Sequence, residues 1–440
     1  MAIGQEPSVE GHTWSDRFPA MSSWDFRRLF ANSFLTTGSR WAQVLARGWL
    51  VHDLSGGSTT AVCLVTFESF LPFLVVGPFA VVVADRCDRR RLLIGATLFG
   101  VLGAVLLTLI TVAGVAEVWH IGVLAFATGA AQASTVPTRQ ALIANVVKPE
   151  HLLNAVALAG ISQHGSRVVG PLFGAAFLST LGPGAVFGLS AALLTLGMVE
   201  AVRLRYRPGV ESGVAASSKP GFAASGRRLV GDLADAGRYV RADSRLLVVI
   251  ALVGAHCSLT MAFDSMMPTL SERVGGAETL YSAILIGLGA GAIVGTLGVS
   301  QLRRERTRGL AFASVGIGSG LAMVIMGTAS TPLLVVVGAV LAGLTQASYM
   351  TMSAALVQRV VTDEYRGRVM SLYLMIAAGH MAILNLGFGR LAEVIDVRVL
   401  LVGPGLAWTA LFAFSIGSVG EVRSLVGRGH FTSMLPSGAT

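Results

Sequence analysis

Along the chain, long apolar stretches alternate with short polar breaks. Residues 60–84 carry one charged side chain, Glu68, and residues 92–114 carry none. Each stretch exceeds the roughly 20 apolar residues that an α-helix needs to cross a bilayer. The pattern recurs near 28–52, 60–84, 92–113, 118–137, 155–180, 183–202, 246–270, 280–300, 310–330, 332–353, 369–392 and 399–419. It predicts an all-α membrane protein with twelve transmembrane helices.

Six of these spans precede a long polar connection, 203–245, and six follow it. The first part of the connection is rich in Gly, Ser and Ala and reads as flexible linker. Its second part, "RRLVGDLADAGRYVRAD" (227–243), fits a short amphipathic helix at the membrane surface. The two sets also repeat one another. "ALIANVVKPEHLLNAVAL" (141–158) aligns with "ALVQRVVTDEYRGRVMSL" (355–372), and at the same offset Arg89 and Arg90 meet Arg303 and Arg304. The expected plan is therefore two pseudo-symmetric six-helix halves, 27–202 and 246–420. Between them lies the linker 203–245, with cytoplasmic tails at 1–26 and 421–440. Many secondary transporters are built this way, with a midplane site between the repeats.

Composition agrees with a lipid environment. Only 13% of the 440 residues are charged and 53% are hydrophobic, against about 25% charged in a typical soluble domain. The net charge of +9 records topology and gives no reason to expect nucleic acid. With both termini on one side, only Arg273, Arg390 and Arg398 fall opposite, and Arg40, Arg47 and Arg167 lie inside spans. The remaining Lys and Arg share the side of the termini, which makes that side cytoplasmic. The first 26 residues lack the apolar core of a signal peptide. The expected location is a bacterial cell membrane, crossed many times.

Polar residues inside the spans fall into stripes. Thr36, Arg40, Gln43 and Arg47 recur at helical spacing on one face of the first span. Span 5 offers Gln163 and Arg167. Span 7 places His256, Thr260 and Asp264 one turn apart, span 10 does so with Gln346, Tyr349 and Ser353, and span 11 adds Tyr373 and His380. Ionisable groups at this depth are costly and mark a cavity or a partner. Arg47 is also near enough to the interface to snorkel. His256 and His380 suit hydrogen-bonded packing better than proton carriage. Glu68 and Asp264 are the proton-coupling candidates, because a carboxyl in low dielectric can exchange a proton as access alternates.

The loop "VVVADRCDRRRLLIG" (81–95) crowds Asp85, Arg86, Asp88, Arg89 and Arg90 between spans 2 and 3. Arginines alone would serve as a stop-transfer anchor. The acids ask for more, since Asp85 sits at a helix C-terminus where the dipole disfavours it. "ADRCDRRRLL" resembles the loop signature of the major facilitator superfamily, Gly-x-x-x-Asp-Arg-x-Gly-Arg-Arg, with Asp88 in place of glycine and Val81 at the leading glycine. Its Asp-Arg-x-Asp-Arg-Arg form looks like the branch that contains enterobactin exporters and macrolide efflux pumps. "ARGWLVHDLSGGS" (46–58), "VPTRQALIANVVKPEHLLNAVAL" (136–158) and "RGRVMSLYLM" (366–375) agree with that branch. The resemblance runs from about 26 to 419.

This resemblance implies alternating access, with Asp85 clasping the start of the eleventh helix near 367–370 when the cytoplasmic side is shut. It places spans 1, 4, 7 and 10 around the substrate path. Arg40, Gln43, Arg47, Gln132, Arg167, His256, Gln346, Tyr349 and His380 are therefore path candidates. "GSRVVGPLFGAAF" (165–177) resembles the glycine-proline motif of the superfamily's antiporters, with Gly170, Pro171 and Gly174 as a helix-5 kink or a plain packing contact. The superfamily's span-4 arginine before Gln-Gly is absent, and Gly129 stands at the matching place.

No catalytic constellation emerges, and Cys63, Cys87 and Cys257 lack metal-ligand spacing. There is no phosphate-cradling Gly-x-x-x-x-Gly-Lys motif. The expectation is no enzyme, no metal and no cofactor, but a monomeric transporter driven by the proton gradient. Efflux of a small organic molecule, such as a siderophore, antibiotic or other secondary metabolite, leads. A proton-coupled importer and a non-transporting membrane receptor are the alternatives.

Overall fold

Each helix begins where the sequence supplies a cap. In the computed structural model, which describes residues 18–76, 88–205, 222–302 and 304–428, α1 (Trp24–Leu54) starts at Ser23, whose Oγ accepts from the Phe26 N–H at 3.3 Å. Ser58 caps α2 (Thr59–Val75) in the same way. Asp88 caps α3 (Arg89–Val112), accepting from the N–H groups of Arg90 and Arg91 at 2.8 and 3.2 Å. Such a cap is worth about 1 kcal/mol. Next come α4 (Val118–Val146), α5 (Leu152–Leu181) and α6 (Pro183–Val202). The corner between the last two is Gly182, whose φ of 80° suits a residue without a side chain.

The second group opens with the surface helix α7 (Phe222–Ala242) and α8 (Ser244–His256). Asp243 caps α8 and also binds the Arg245 guanidinium, which holds its carboxyl below the ordinary range. A π-turn at Cys257–Met261 and a 3-10 turn at Asp264–Met266 then separate α8 from α9 (Met267–Arg273). The sequence predicted one uninterrupted span at 246–270, so this break is a departure from it. It is followed by α10 (Ala277–Ser300), α11 (Glu305–Thr328), α12 (Pro332–Val360), α13 (Asp363–Leu391), α14 (Val397–Ser418) and α15 (Gly420–Arg428). The last of these lies in the expected tail and buries Val422 and Leu425 against the second group.

Among the described residues there is no strand, and eight helical segments are long and apolar enough to cross a membrane. They are α3, α6, the broken segment Ser244–Arg273, α10, α11, α12, α13 over Glu364–Leu391, and α14. α1 is longer than most but carries Arg40, Gln43 and Arg47 on its way through. Large apolar side chains such as Leu109, Phe173 and Phe414 stand exposed on the outside of their helices, as lipid-facing residues do.

α1 packs on α5 and α6, α2 on α4, α10 on α12, and α11 on α14. The two most extensive contacts between the groups are those of α2 with α13 and of α5 with α10. A shared apolar core also bridges them, running from Leu45, Leu50 and Val62 to Met266, Leu270 and Ile284. That core lies toward the end that holds the α1–α2 and α9–α10 turns. Small residues set the close approaches. A Cβ on Gly291 would fall 2.0 Å from the Val340 carbonyl oxygen, and one on Gly343 would fall 2.0 Å from that of Leu288.

Gly291→Val should therefore pry α10 from α12 and lower the thermal midpoint in detergent by several degrees, whereas Gly298→Val, with nothing within 4 Å of its Cβ position, should leave it unchanged. Equal midpoints for the two variants would contradict this account of the contact.

Candidate functional site

A cavity of about 610 Å³ lies within the first group, lined from α1 by Thr36, Arg40 and Gln43, from α4 by Gln132 and Arg139, and from α5 by Gln163. It extends to Ile143 and Leu152, either side of the α4–α5 turn. A smaller space of about 60 Å³ adjoins it, walled by Arg40, Arg47, Gln132, Asp264 and Tyr281. Arg40, Thr128 and Gln132 line both. The smaller space joins the groups, since Asp264 and Tyr281 come from the second.

Four guanidinium groups lie in or beside these spaces, each answered differently. Arg139 donates from Nη1 to Ser33 Oγ and from Nη2 to Thr36 Oγ1, both at 3.0 Å. Arg40 lies among aromatic rings, 5.3 Å from the Phe73 centroid, 5.9 Å from Phe70 and 6.0 Å from Trp41. Arg167 lies 4.5 Å over the centroid of the Trp41 ring. Cation–π contacts of this kind are worth about 0.5–2 kcal/mol, most when desolvated. Asp264 supplies the opposite charge, within electrostatic reach of both Arg167 and Arg40. Arg47 is buried, with Nε donating to the Gln43 carbonyl at 3.3 Å.

Asp264 is there because the helix breaks. His256, Thr260 and Asp264 do not share a face as the spacing predicted, since the π-turn and the irregular Ala262 (φ −84°, ψ 39°) lie between. His256 turns into the second group's core, with Nε2 3.1 Å from Ser319 Oγ and its ring stacked on Tyr349 at 4.2 Å and edge-on to Trp408. Gln346 braces the break, with Nε2 donating to the Thr260 carbonyl at 2.6 Å. Ser265 donates to Asn385 Oδ1 on the far side.

The other candidates scatter. Tyr349 belongs to the aromatic cluster, Tyr373 bonds Ser353 at 3.0 Å, and His380 points Nδ1 at the Ile376 carbonyl. Glu68 lies over α4, where a Cβ on Gly122 would fall 2.1 Å from Oε2, and it lines neither of these cavities. α5 runs through Pro171 unbroken, and Gly170 and Gly174 pack against α1 at Gly38 and Ala42.

In the charged loop, Asp85 and Arg86 lie outside the described residues. Asp88 is spent as the α3 cap, Arg89 sits in the first turn, and Arg90 donates to the Val202 carbonyl at the end of α6. Arg90 thus ties two helices of one group. The end of α6 offers carbonyls that lack an intrahelical partner, and Arg90 meets one of them.

The groups meet by polar contacts at one end. Thr59 and Thr269 hydroxyls are 2.8 Å apart, Thr60 donates to the Gly389 carbonyl at 2.8 Å, and His52 Nε2 lies 2.9 Å from Glu272 Oε2. The cavity's reach toward the α4–α5 turn is toward the opposite end.

Residues 16–426 match the family model described as transmembrane secretion effector, MFS_3. The chain belongs to this family. It is therefore a major facilitator superfamily transporter and not an enzyme. This transporter is 24% identical over 324 residues to macrolide efflux protein A of Streptococcus pyogenes, covering 72% of its own chain and 76% of that protein. It is 23% identical over 306 residues to the Enterococcus faecalis protein of the same name, covering 69% and 92%. In fold it resembles a POT family transporter solved with 5-aminolevulinic acid (TM-score 0.71, 12% identity, 91% of this chain and 97% of that one). It also resembles a mutant of the nucleoside transporter NupG (TM-score 0.68, 14% identity, 90% and 99%).

The transporter's Arg139 was missed from sequence because the fourth span was ended at 137, whereas α4 runs to Val146. A signal existed. Thr128, Gln132, Thr135 and Arg139 repeat the spacing of Thr36, Arg40, Gln43 and Arg47.

Gln346→Leu should leave the buried Thr260 carbonyl without its donor, at a cost of about 1–3 kcal/mol. A clear drop in thermal midpoint is expected, with none for the exposed Thr351→Val, and an unchanged midpoint for Gln346→Leu would rule out the brace.

Proposed function

We propose that this transporter exports a small organic anion or catechol from the cytoplasm by proton antiport, through two six-helix halves that alternate access. The observation that carries the reading is the 610 Å³ cavity, whose polar wall holds Arg40 and Arg139. That volume is in the range of small-molecule sites. The positive-inside asymmetry puts both termini and the α4–α5 turn on the cytoplasmic side. The cavity then faces the cytoplasm, while the Thr59–Thr269 and His52–Glu272 contacts close the outer side. A site loaded from inside suits efflux, in keeping with the named role of the macrolide efflux relatives.

Charge selects the substrate class. Arg40, Arg139 and Arg167 outnumber Asp264 around the path, so an anionic or catechol-like molecule complements it better than a lipophilic cation. Asp264 is the better placed of the two proton candidates, because it faces the arginines that an anion would also engage. Asp264, protonated from outside, would release that proton to the cytoplasm before substrate binds, so that proton and substrate cross in opposite directions. A proton supplies about 2.3 kcal/mol per 100 mV of membrane potential. Asp85 would complete the cycle as a cytoplasmic latch on α13 near 367–370.

Everted membrane vesicles containing the protein test both parts. Energised vesicles should accumulate dihydroxybenzoate and not ethidium, and the Arg40→Ala, Arg167→Ala double variant should lose the anion. Asp264→Asn should abolish uphill accumulation while downhill exchange and membrane insertion persist. Ethidium accumulation that survives the double arginine variant sinks the charge assignment, and full uphill transport by both Asp264→Asn and Glu68→Gln sinks proton coupling through these acids.

A further inference from the structure

The surface helix α7 does more than connect the two groups. With α8 and α13 it encloses a groove of about 700 Å³ that shares no lining residue with the cavity of the first group. The rim comes from α7 and includes Arg238 and Arg241, and the trough is apolar, with Leu247, Ile250, Leu372 and Ile376 on its walls.

Depth and charge together define an occupant. Along α8 the lining runs from Leu247 to Ala255, about 12 Å at 1.5 Å per residue. That is close to the ~15 Å of one leaflet of a bilayer's hydrocarbon core. Both walls belong to helices long and apolar enough to span a membrane. At the inner end, Gly254 leaves room beside Ile376 and His380, whose Nδ1 is held by the Ile376 carbonyl. At the outer end, Arg238 is neutralised in part by Asp235 one turn before it, whereas Arg241 is exposed and pairs with no carboxylate among the described residues. An apolar trough one leaflet deep, with an unpaired cation at its mouth, is complementary to a single amphiphile.

We propose that this groove seats one acyl chain of an anionic phospholipid, with the phosphate on Arg241 and secondarily on Arg238. The chain fills the space between α8 and α13, and the headgroup fastens α7 to them. Arg368, which bonds Asp232 from α13 at 3.2 Å, fastens the same helix from its other side. The lipid thus stabilises the segment leading into the α8–α9 break.

Native mass spectrometry of the detergent-purified full chain tests this, titrating phosphatidylglycerol against phosphatidylcholine of the same chain length. Phosphatidylglycerol should be retained more tightly. Arg241→Ala should weaken it about fivefold, from the ~1 kcal/mol that each surface cation contributes. Ala251→Trp, which fills the trough, should reduce retention of both lipids, and Arg91→Ala, whose side chain is 89% exposed elsewhere, should change nothing. Equal retention of the two lipids overturns the proposal, as does wild-type affinity in Arg241→Ala or an equal loss in Arg91→Ala. Full displacement by glycerol phosphate would show a headgroup site without a chain and overturn it too. Because Arg241 is exposed, its variant folds, and the test stands even if Ala251→Trp does not.

Discussion

A guanidinium held at membrane depth must be answered by something other than bulk water. Placing such a charge at the centre of a spanning helix costs about 2.5–3.5 kcal/mol even on the most lenient scale. This chain carries several, and much of its interior is arranged around them. Arg139 is met by two hydroxyls of α1, Arg40 by a set of aromatic rings, and Arg167 by the face of Trp41. None of those partners carries a negative charge. The acid comes from the other helix group, as Asp264.

That division gives the cluster its mechanical meaning. The cations sit on α1, α4 and α5, and the anion sits beyond a break in the second group. Any movement between the groups changes their separation, so the electrostatic energy of the cluster depends on conformation. The break itself has to be supported, since an irregular turn frees backbone groups that cannot be left unpaired in an apolar interior. Gln346 provides that support from α12, and Asn385 of α13 accepts from the Ser265 hydroxyl beside it. The apolar core that continues from Leu45 to Ile284 then holds one end of the assembly together while the polar cavity lies toward the other.

The helices were legible in the sequence because lipid imposes a length and a polarity on every span. α3, α6 and α10 begin and end within a few residues of the apolar runs that predicted them. The arginine stripe on α1 was legible for a related reason, since three charged or amide side chains at helical spacing cannot be hidden. Two things were not. Arg139 looked like a loop residue because a helix can continue past its apolar stretch once its polar face meets hydroxyls instead of lipid. The stripe through His256, Thr260 and Asp264 assumed a regular helix, and nothing in "HCSLTMAFD" (256–264) announces a π-turn. The brace that sustains it comes from Gln346, far along the chain. Asp88 illustrates the converse, a charged-loop residue whose observed bonds are those of an ordinary helix cap.

The central claim is that Asp264 and Arg167 attract one another across the two helix groups, so that the cost of burying each depends on the other. A double-mutant cycle on thermal stability measures this directly, using Asp264→Asn, Arg167→Gln and the two combined. The account predicts that each single variant is destabilised and that the double variant recovers much of the loss, with a coupling above about 1 kcal/mol. Strict additivity of the two changes would contradict it.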